Sequence, residues 1–172
     1  MAGARIHYSF NGRAAQEAVT RLGIVRPGTM RAIGMALVAT TDARFQSQTE
    51  PFGAKWHKLN PGYAMIKRGT RILTASGLLA RSITSQVHGH QVVVGSNRVY
   101  AAIHQFGGKI TAKTPKGLAI RMGGFGANGT GRGWVHVRSV VIPARPYLGF
   151  GPADERAVLE VLGRAWRDAQ AV

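Results

Sequence analysis

The sequence lacks cysteine and long hydrophobic runs, and each absence excludes a class of protein. Without cysteine the chain has no disulfide framework, no thiolate metal site and no cysteine nucleophile, which fits a reducing compartment. The apolar stretches at Val92–Val94 and Val140–Ile142 are far shorter than the roughly 20 residues of a membrane helix. The N-terminus also lacks the apolar run of a secretion signal. We therefore expect a soluble cytoplasmic product.

Acidic residues are missing from the centre of the chain. The sequence has 23 Lys and Arg against 7 Asp and Glu, which gives a formal net charge of +16. Between Pro51 and Ala153 there are fourteen basic residues and no carboxylate side chain. Paired-carboxylate hydrolases, aspartate-assisted triads and carboxylate-bound magnesium sites all need an acid near the chemistry. The central region cannot supply such a site.

The length and the apolar content fit one globular domain. The chain has 172 residues, of which 45% are apolar, so a real core can form despite the charge. We predict a single α+β domain over residues 1–172, with an N-terminal helical extension at 1–27 and a flexible glycine-rich arm at 107–133. Long N-terminal and C-terminal helices are expected to pack on a small, mainly antiparallel sheet built from residues 82–142.

Helical spacing of apolar residues predicts two helices in the first third of the chain. The first spans Asn11 to Leu22. The second begins near Thr29, which is a candidate N-cap. Its core-facing residues are Met30, Ile33, Leu37, Val38 and Phe45.

The last helix has clear sequence signals at both ends. Pro152 suits a first turn, Asp154 and Glu155 place negative charge at the positive end of the helix, and Arg164 and Arg167 complement the other end. Its apolar stripe consists of Val158, Val161, Leu162, Ala165 and Ala169.

The region between these helices alternates loops with short elements. Residues 46–70 have no period and are predicted to be an irregular loop. A short helix is expected over 74–80, a β-hairpin from 82–87 and 91–94, a helical turn over 98–106, and a strand over 134–142 that returns to the sheet. The residues expected to anchor the loop are Phe52, Trp56, Leu59 and Tyr63.

The stretch 107–133 contains nine glycines in 27 residues and few large apolar groups. That composition builds no packed core, so we predict a long mobile loop or an extended hairpin that orders only against a partner. Such an arm suits contact with a phosphate backbone or with an acidic protein surface, or acts only as a solubilising loop. Its candidate contact residues are Lys109, Lys113, Lys116, Arg121 and Arg132.

Candidate catalytic groups are weak in this sequence. His88 and His90, with His104 and His136 elsewhere, would have to bring metal ligands together from separate segments, so we interpret them as surface or core histidines. The serines lack the Gly-x-Ser-x-Gly elbow, and no Gly-Lys-Ser/Thr phosphate loop occurs. We predict a protein with no catalytic residue, no metal site and no cofactor.

Several spaced motifs form a pattern across 31–167. They are Arg44-Phe45, Pro51-Phe-Gly53, Trp56-His-Lys-Leu59, Ile72-Leu73, Ser76-Gly77-Leu78-Leu79, Ser82-Ile83, Val93-Val94-Gly95-Ser96, Tyr100-Ala-Ala-Ile-His104-Gln105-Phe106-Gly107 and Ile142-Pro-Ala-Arg-Pro146-Tyr-Leu-Gly149. This pattern resembles the Mu-like phage virion morphogenesis, or tail completion, family. One departure is Phe52, where the family has an acidic residue.

The resemblance implies a non-enzymatic structural protein of the phage tail or neck, assembled in the host cytoplasm. It implies a ring, with a hexamer expected, that caps the tail around the DNA channel and contacts the tail tube protein and a head-tail connector or stopper protein. The basic arm would then face channel DNA or an acidic neighbouring ring, and no membrane is involved. The alternative is a non-specific nucleic-acid-binding protein outside the virion. The matching motif residues are Trp56, Leu59, Gly77, Tyr100, His104, Gly107, Arg145 and Pro146. Trp56, Tyr100 and Phe106 are expected to anchor a small core, and Gly77 and Gly107 to permit close approach or a positive φ.

Overall fold

A computed structural model describes residues 4–8, 26–67, 69–125 and 131–171. Its helices are α1 (Pro27–Ser47), α2 (Pro61–Ala64), α3 (Ala101–Phe106) and α4 (Pro152–Gln170), with a 3₁₀ turn at Ala80–Ser82. Its strands are β1 (Ala4–Tyr8), β2 (Ile83–His88), β3 (Gln91–Ser96), β4 (Gly108–Thr111), β5 (Leu118–Phe125), β6 (Gly131–Val137) and β7 (Ser139–Ile142). The predicted α+β class is confirmed.

The strands form three small antiparallel sheets. The largest has the order β1-β3-β2, and β4 pairs with β7 while β5 pairs with β6. The predicted hairpin of β2 and β3 is confirmed, and its two-residue turn is Gly89-His90, with Gly89 at a φ of +57°. A positive φ is what such tight turns require.

Helix α1 covers one face of the three-stranded sheet and packs against α4. The approach is close at Gly34, because a Cβ there would lie 2.7 Å from the Ser85 hydroxyl oxygen. Side chains from α1, β2 and β3 pack together in this layer, and they form one hydrophobic core with residues of the segment 143–151. The core residues are Met30, Ile33, Leu37, Phe45, Trp56, Leu79, Ile83, Val92, Val94, Ala101, Tyr147 and Leu148.

The two long helices have the predicted core-facing stripes. In α1 the predicted residues are buried, with Val38 partly buried against them, and in α4 all five stripe residues are half-buried. The predicted N-cap is wrong, because α1 begins at Pro27 with Arg26 at the N-cap. Proline is favoured in the first helical turn, where its missing N–H is not needed. Within the described residues, no helix is both long and apolar enough to span a bilayer.

Two elements of the region 46–82 differ from the prediction. No helix forms over 74–80, because Leu73 and Gly77 have φ of +59° and +68°, which a right-handed helix does not tolerate. The predicted irregular loop contains α2, capped by the Asn60 side chain. Among its predicted anchors Trp56 is buried and Leu59 half-buried, but Phe52 and Tyr63 are exposed.

The stretch 134–142 is not one strand that returns to the main sheet. It divides at Arg138 into β6, which pairs with β5, and β7, which pairs with β4. Both pairs are two-stranded ribbons, and such ribbons are marginally stable in water unless they pack on something else. Helix α2 packs against one end of β5, where a Cβ on Gly62 would lie 3.0 Å from the Gly123 carbonyl oxygen.

The predicted N-terminal extension is only partly described. Residues 4–8 form a strand rather than helix, and β1 adds to the free edge of β3 with Ala4 opposite Ser96 and Tyr8 opposite Val92. The alternation Arg5-Ile6-His7-Tyr8 fits this strand. The predicted helix Asn11–Leu22 lies outside the described residues.

Candidate functional site

Arg145 fastens the segment 143–151, which connects β7 to α4, to the loop before α2. Its Nε donates to the His57 carbonyl oxygen at 2.7 Å and its Nη2 donates to the Lys58 carbonyl oxygen at 2.9 Å. Its backbone N–H donates to the His104 carbonyl oxygen at 2.8 Å. The side chain is buried, and burial lowers the pKa of Arg145. Arg145 therefore serves to hold three segments together.

Trp56 and Tyr147 form the aromatic centre of this region. The Trp56 indole N–H donates to the Pro146 carbonyl oxygen at 2.8 Å. Phe45 lies between the two rings, edge-on to Trp56 at 5.5 Å and tilted against Tyr147 at 5.1 Å. The buried Tyr147 hydroxyl donates to the Ala101 carbonyl oxygen at 3.0 Å. Burial, with a smaller contribution from Tyr100, raises the pKa of Tyr147, so its hydroxyl remains a donor.

The Gln105 side chain forms hydrogen bonds with the backbone of the same segment. Its side-chain oxygen accepts from the N–H groups of Tyr147 at 3.0 Å and Leu148 at 2.9 Å, and its side-chain nitrogen donates to the Leu148 carbonyl oxygen at 2.8 Å. These bonds satisfy buried backbone groups that would otherwise cost about 1–3 kcal/mol each. No signal in the sequence singles out Gln105, although it lies inside the motif from Tyr100 to Gly107.

A buried ion pair joins α1 to the start of α4. Arg44 pairs with Asp154 and also donates to the carbonyl oxygens of Tyr147 and Gly149, each at 3.2 Å. Asp154 accepts the Gly151 N–H at 2.8 Å. The sequence had assigned Asp154 only a favourable charge at the helix N-terminus. Arg44 and Asp154 lie far apart in the sequence, so only the fold reveals that they pair.

The remaining motif residues surround this network. Gly107 has a φ of +69°, and a Cβ there would lie 2.7 Å from the Ala144 backbone nitrogen. Gly77 has a φ of +68°, so both glycines have the positive φ that the sequence predicted for them. The expectation that Tyr100 and Phe106 anchor the core is wrong, because both side chains are exposed at the ends of the short helix α3.

His104 is half-buried on α3. Its Nδ1 is buried and has no hydrogen-bond partner within the described residues. The Tyr100 ring lies edge-on to it at 6.0 Å. Burial, and secondly the positive charge of Arg145, lowers the pKa of His104. These causes favour the neutral imidazole.

The other histidines and the serines form no catalytic or metal constellation in the described parts of the chain. His88 and His90 are exposed at the β2–β3 turn, and His136 is exposed on β6, 48 positions after His88 in the sequence. No group of three His, Cys, Asp or Glu residues suited to a metal ion occurs among the described residues. The Ser82 hydroxyl donates to the Leu79 carbonyl oxygen and bonds the Ser96 hydroxyl, which is a structural role.

The five predicted arm residues are all exposed, but they belong to different elements. Lys109 lies on β4 opposite Val141, and Lys113 and Lys116 lie in the turn before β5. Arg121 and Arg132 lie on β5 and β6. The fold therefore places Arg121 and Arg132 together on one ribbon and leaves the three lysines nearer its base.

Comparison with known proteins finds related sequences along most of the chain. The model of the phage virion morphogenesis family matches residues 12–166. The chain is 33% identical to the Mu-like prophage FluMu G protein 2 of Haemophilus influenzae over 86% of this chain and 83% of that protein. It is 30% identical to the putative capsid assembly protein G of Escherichia phage Mu over 87% of this chain and 86% of that protein. No solved structure matches. The chain belongs to the phage virion morphogenesis family.

Proposed function

We propose that this protein is a tail completion or tail terminator subunit of a phage virion. It assembles as a ring, with six copies expected, that caps the tail around the DNA channel. The ring contacts the tail tube protein on one side and a head-tail connector or stopper protein on the other. The family supports a role in phage structure or assembly, and the surface of the subunit supports the ring.

The observation that carries this proposal is a pair of separate apolar surfaces. On α4, Leu159 is 59% exposed and Trp166 is 38% exposed. They are seven positions apart, so they lie on one side of the helix, and we call them the α4 patch. Near the start of the β4–β7 pair, Phe106 is 64% exposed and Val141 is 69% exposed, and we call these two residues the β4–β7 patch.

Two different apolar surfaces on one subunit suit a head-to-tail contact. Large exposed apolar groups mark interaction sites on soluble proteins. A two-fold dimer uses the same patch twice, whereas a ring uses two different patches, one on each side of every subunit. The α4 patch of one copy and the β4–β7 patch of the next copy then bury each other around the ring.

Native mass spectrometry and negative-stain imaging of the purified protein test the ring. A closed oligomer with a central hole, six subunits in the expected case, supports the proposal. A protein that remains monomeric at tens of micromolar and forms no ring in assembled particles contradicts it. A monomer that binds DNA with a steep salt dependence and is absent from purified particles would support the nucleic-acid-binding alternative instead.

A mixing experiment tests the pairing of the two patches. Leu159→Glu should disable one side of the subunit and Val141→Glu the other, so each variant alone should be monomeric. Because each retains the patch that the other lost, an equimolar mixture should form heterodimers but no rings. Met35→Glu, at another exposed apolar position on α1, is the matched control and should still form rings. A mixture that stays monomeric while both variants remain folded would show that these patches do not pair.

A further inference from the structure

We infer that the exposed face of the β5–β6 ribbon binds double-stranded DNA through its phosphate backbone, without sequence preference. The inference deepens the proposed function, since it names the surface of the ring subunit that faces the DNA channel. It rests on that proposal for its place in the virion. The binding itself follows from the ribbon alone and is measurable on the isolated protein.

The two faces of the ribbon differ in character: one carries exposed polar and aromatic side chains, and the other carries half-buried apolar ones. Arg121 is paired with Trp134, and Gly123 with Arg132, so these residues share one face. Gly123 itself is buried, because Met65 and Ile66 lie over it, so the exposed part of the face begins beside it. His136 lies two positions beyond Trp134 on the same side. Arg121, Arg132, Trp134 and His136 are all exposed, and Trp134 has 67% of its surface open to solvent. The apolar residues Leu118, Ile120, Met122, Val135 and Val137 alternate with them and are half-buried.

The charge on this face is unbalanced. Arg121 and Arg132 are diagonal neighbours across the ribbon, a relation that places backbone positions about 7–8 Å apart. Neither side chain has an ion pair or hydrogen bond within the described residues. Like charges at that spacing repel and do not help the ribbon to form. A bound polyanion removes the repulsion.

Further cations extend the face towards the base of the ribbon. The Ala112 N–H donates to the Arg138 carbonyl oxygen at 2.8 Å, and the His136 ring donates to the Lys116 carbonyl oxygen at 3.0 Å. These bonds hold the turn before β5, with its exposed lysines, beside the end of β6. From Arg132 through the end of β6 to Arg138, the chain spans about 20 Å at roughly 3.3 Å per residue. Cations are therefore available along a length that covers many phosphates of a duplex.

Shape and charge favour DNA over an acidic protein. A two-stranded ribbon is one of the two elements that fit the major groove of B-DNA. Duplex DNA carries one negative charge per about 1.7 Å of its axis. This dense negative charge suits a positively charged face that lies within 51–153, where the sequence has no carboxylate side chain. Arginine contacts to phosphate fix position but carry no sequence information.

The test is the salt dependence of binding to a duplex of about 25 base pairs, measured by fluorescence anisotropy. When the logarithm of the association constant is plotted against the logarithm of the salt concentration, the slope is about −0.9 for each phosphate neutralised. Arg121→Ala with Arg132→Ala should therefore reduce the slope by about 1.8. Arg121→Lys with Arg132→Lys should retain it. Trp134→Ala should weaken binding severalfold at constant slope, because it removes contact area but no charge.

A matched control separates the ribbon from the overall charge. Arg156→Ala with Arg167→Ala removes two exposed cations from α4 and should leave the slope unchanged. Equal losses in the ribbon and α4 variants would overturn the inference, since binding would then follow total charge. Competition by polyglutamate as effective as that by DNA, charge for charge, would also overturn it and point to an acidic protein partner.

The outcome is independent of the ring. Native mass spectrometry on the same preparations reports assembly, while anisotropy reports DNA binding. A wild-type protein that forms rings but binds no duplex refutes this inference and leaves the proposed function standing. A monomer that loses DNA affinity only when the ribbon arginines are changed refutes the ring and leaves the inference standing.

Discussion

Arg44 and Asp154 form a buried ion pair although they are 110 positions apart in the chain. Arg44 lies near the end of α1, and Asp154 lies in the first turn of α4. The pair also holds the backbone between them, because Arg44 donates to two carbonyl groups of 143–151 and Asp154 accepts the Gly151 N–H. It ties the start of α4 to the end of α1 and to the segment 143–151.

Removing the charge of Asp154 should destabilise the protein strongly. Asp154→Asn leaves Arg44 charged and unpaired in the interior, and breaking a buried pair in this way costs about 3–5 kcal/mol. Denaturant unfolding measures the loss. Glu160→Gln is the control, because Glu160 pairs with Arg164 on the surface and such pairs contribute at most about 0.5 kcal/mol. Similar losses for both variants would show that the buried pair does not hold α4.

Trp56 should contribute far more to stability than Trp134. Trp56 is 4% exposed, so Trp56→Ala should cost roughly 3–5 kcal/mol and give insoluble or unfolded protein. Trp134→Ala should change stability by less than about 0.5 kcal/mol, since its side chain is exposed. Trp56→Phe should fall between them, because it keeps apolar volume but leaves the Pro146 carbonyl oxygen without its donor. Thermal melts that rank the three differently would contradict the packing described above.

Gly107 should tolerate substitution less well than Gly53, although both have positive φ. A Cβ at Gly53 meets nothing within 4 Å, so Gly53→Ala should cost only the backbone strain of about 1–2 kcal/mol. A Cβ at Gly107 would lie 2.7 Å from the Ala144 backbone nitrogen. Overpacking adds about 1–3 kcal/mol, for a total of about 2–5 kcal/mol. Urea unfolding of the two variants makes the comparison, and equal losses would exclude the close approach.

Acidification should destabilise the fold through His104. Its pKa in the folded state is below the unfolded value of about 6.5, so the folded state disfavours the proton. The unfolded state then binds more protons below that pH, and the stability contributed by neutral His104 is present above pH 6.5 and is lost as the pH falls. Melting temperatures between pH 8 and pH 5 should decline more steeply for wild type than for His104→Gln.

His88 and His90 provide the control for that experiment. Both are exposed, so His88→Ala and His90→Ala should fold normally and keep the wild-type pH profile. They should also still support assembly, and metal analysis of the wild type should find no stoichiometric metal. A metal that is lost in these variants would show that the histidines are ligands. A pH profile as steep in His104→Gln as in wild type would exclude His104 as the titrating group.

Much of the local structure followed from local signals. The α1 and α4 stripes, the β2–β3 hairpin and the positive φ of Gly77 and Gly107 depend on side-chain period and on residues that favour particular backbone angles. The wrong predictions about burial have a common cause. Apolar residues such as Phe52 and Phe106 were expected inside, but hydrophobicity alone does not distinguish a core side chain from an exposed one. The helix predicted over 74–80 fails for another reason, because the non-glycine residue Leu73 before it and Gly77 within it both have positive φ.

The sequence by itself determined the chemical character of this protein: no thiol, no carboxylate over 51–153, and an excess of cations with glycine in one stretch. Those properties depend only on composition and position along the chain. Only the tertiary structure decided that Arg44 meets Asp154, that Gln105 satisfies the backbone at 147–148, and that Arg121 and Arg132 share a face with Trp134. Such relations join residues distant in sequence, and strand register and helix packing bring them together, which no local pattern specifies.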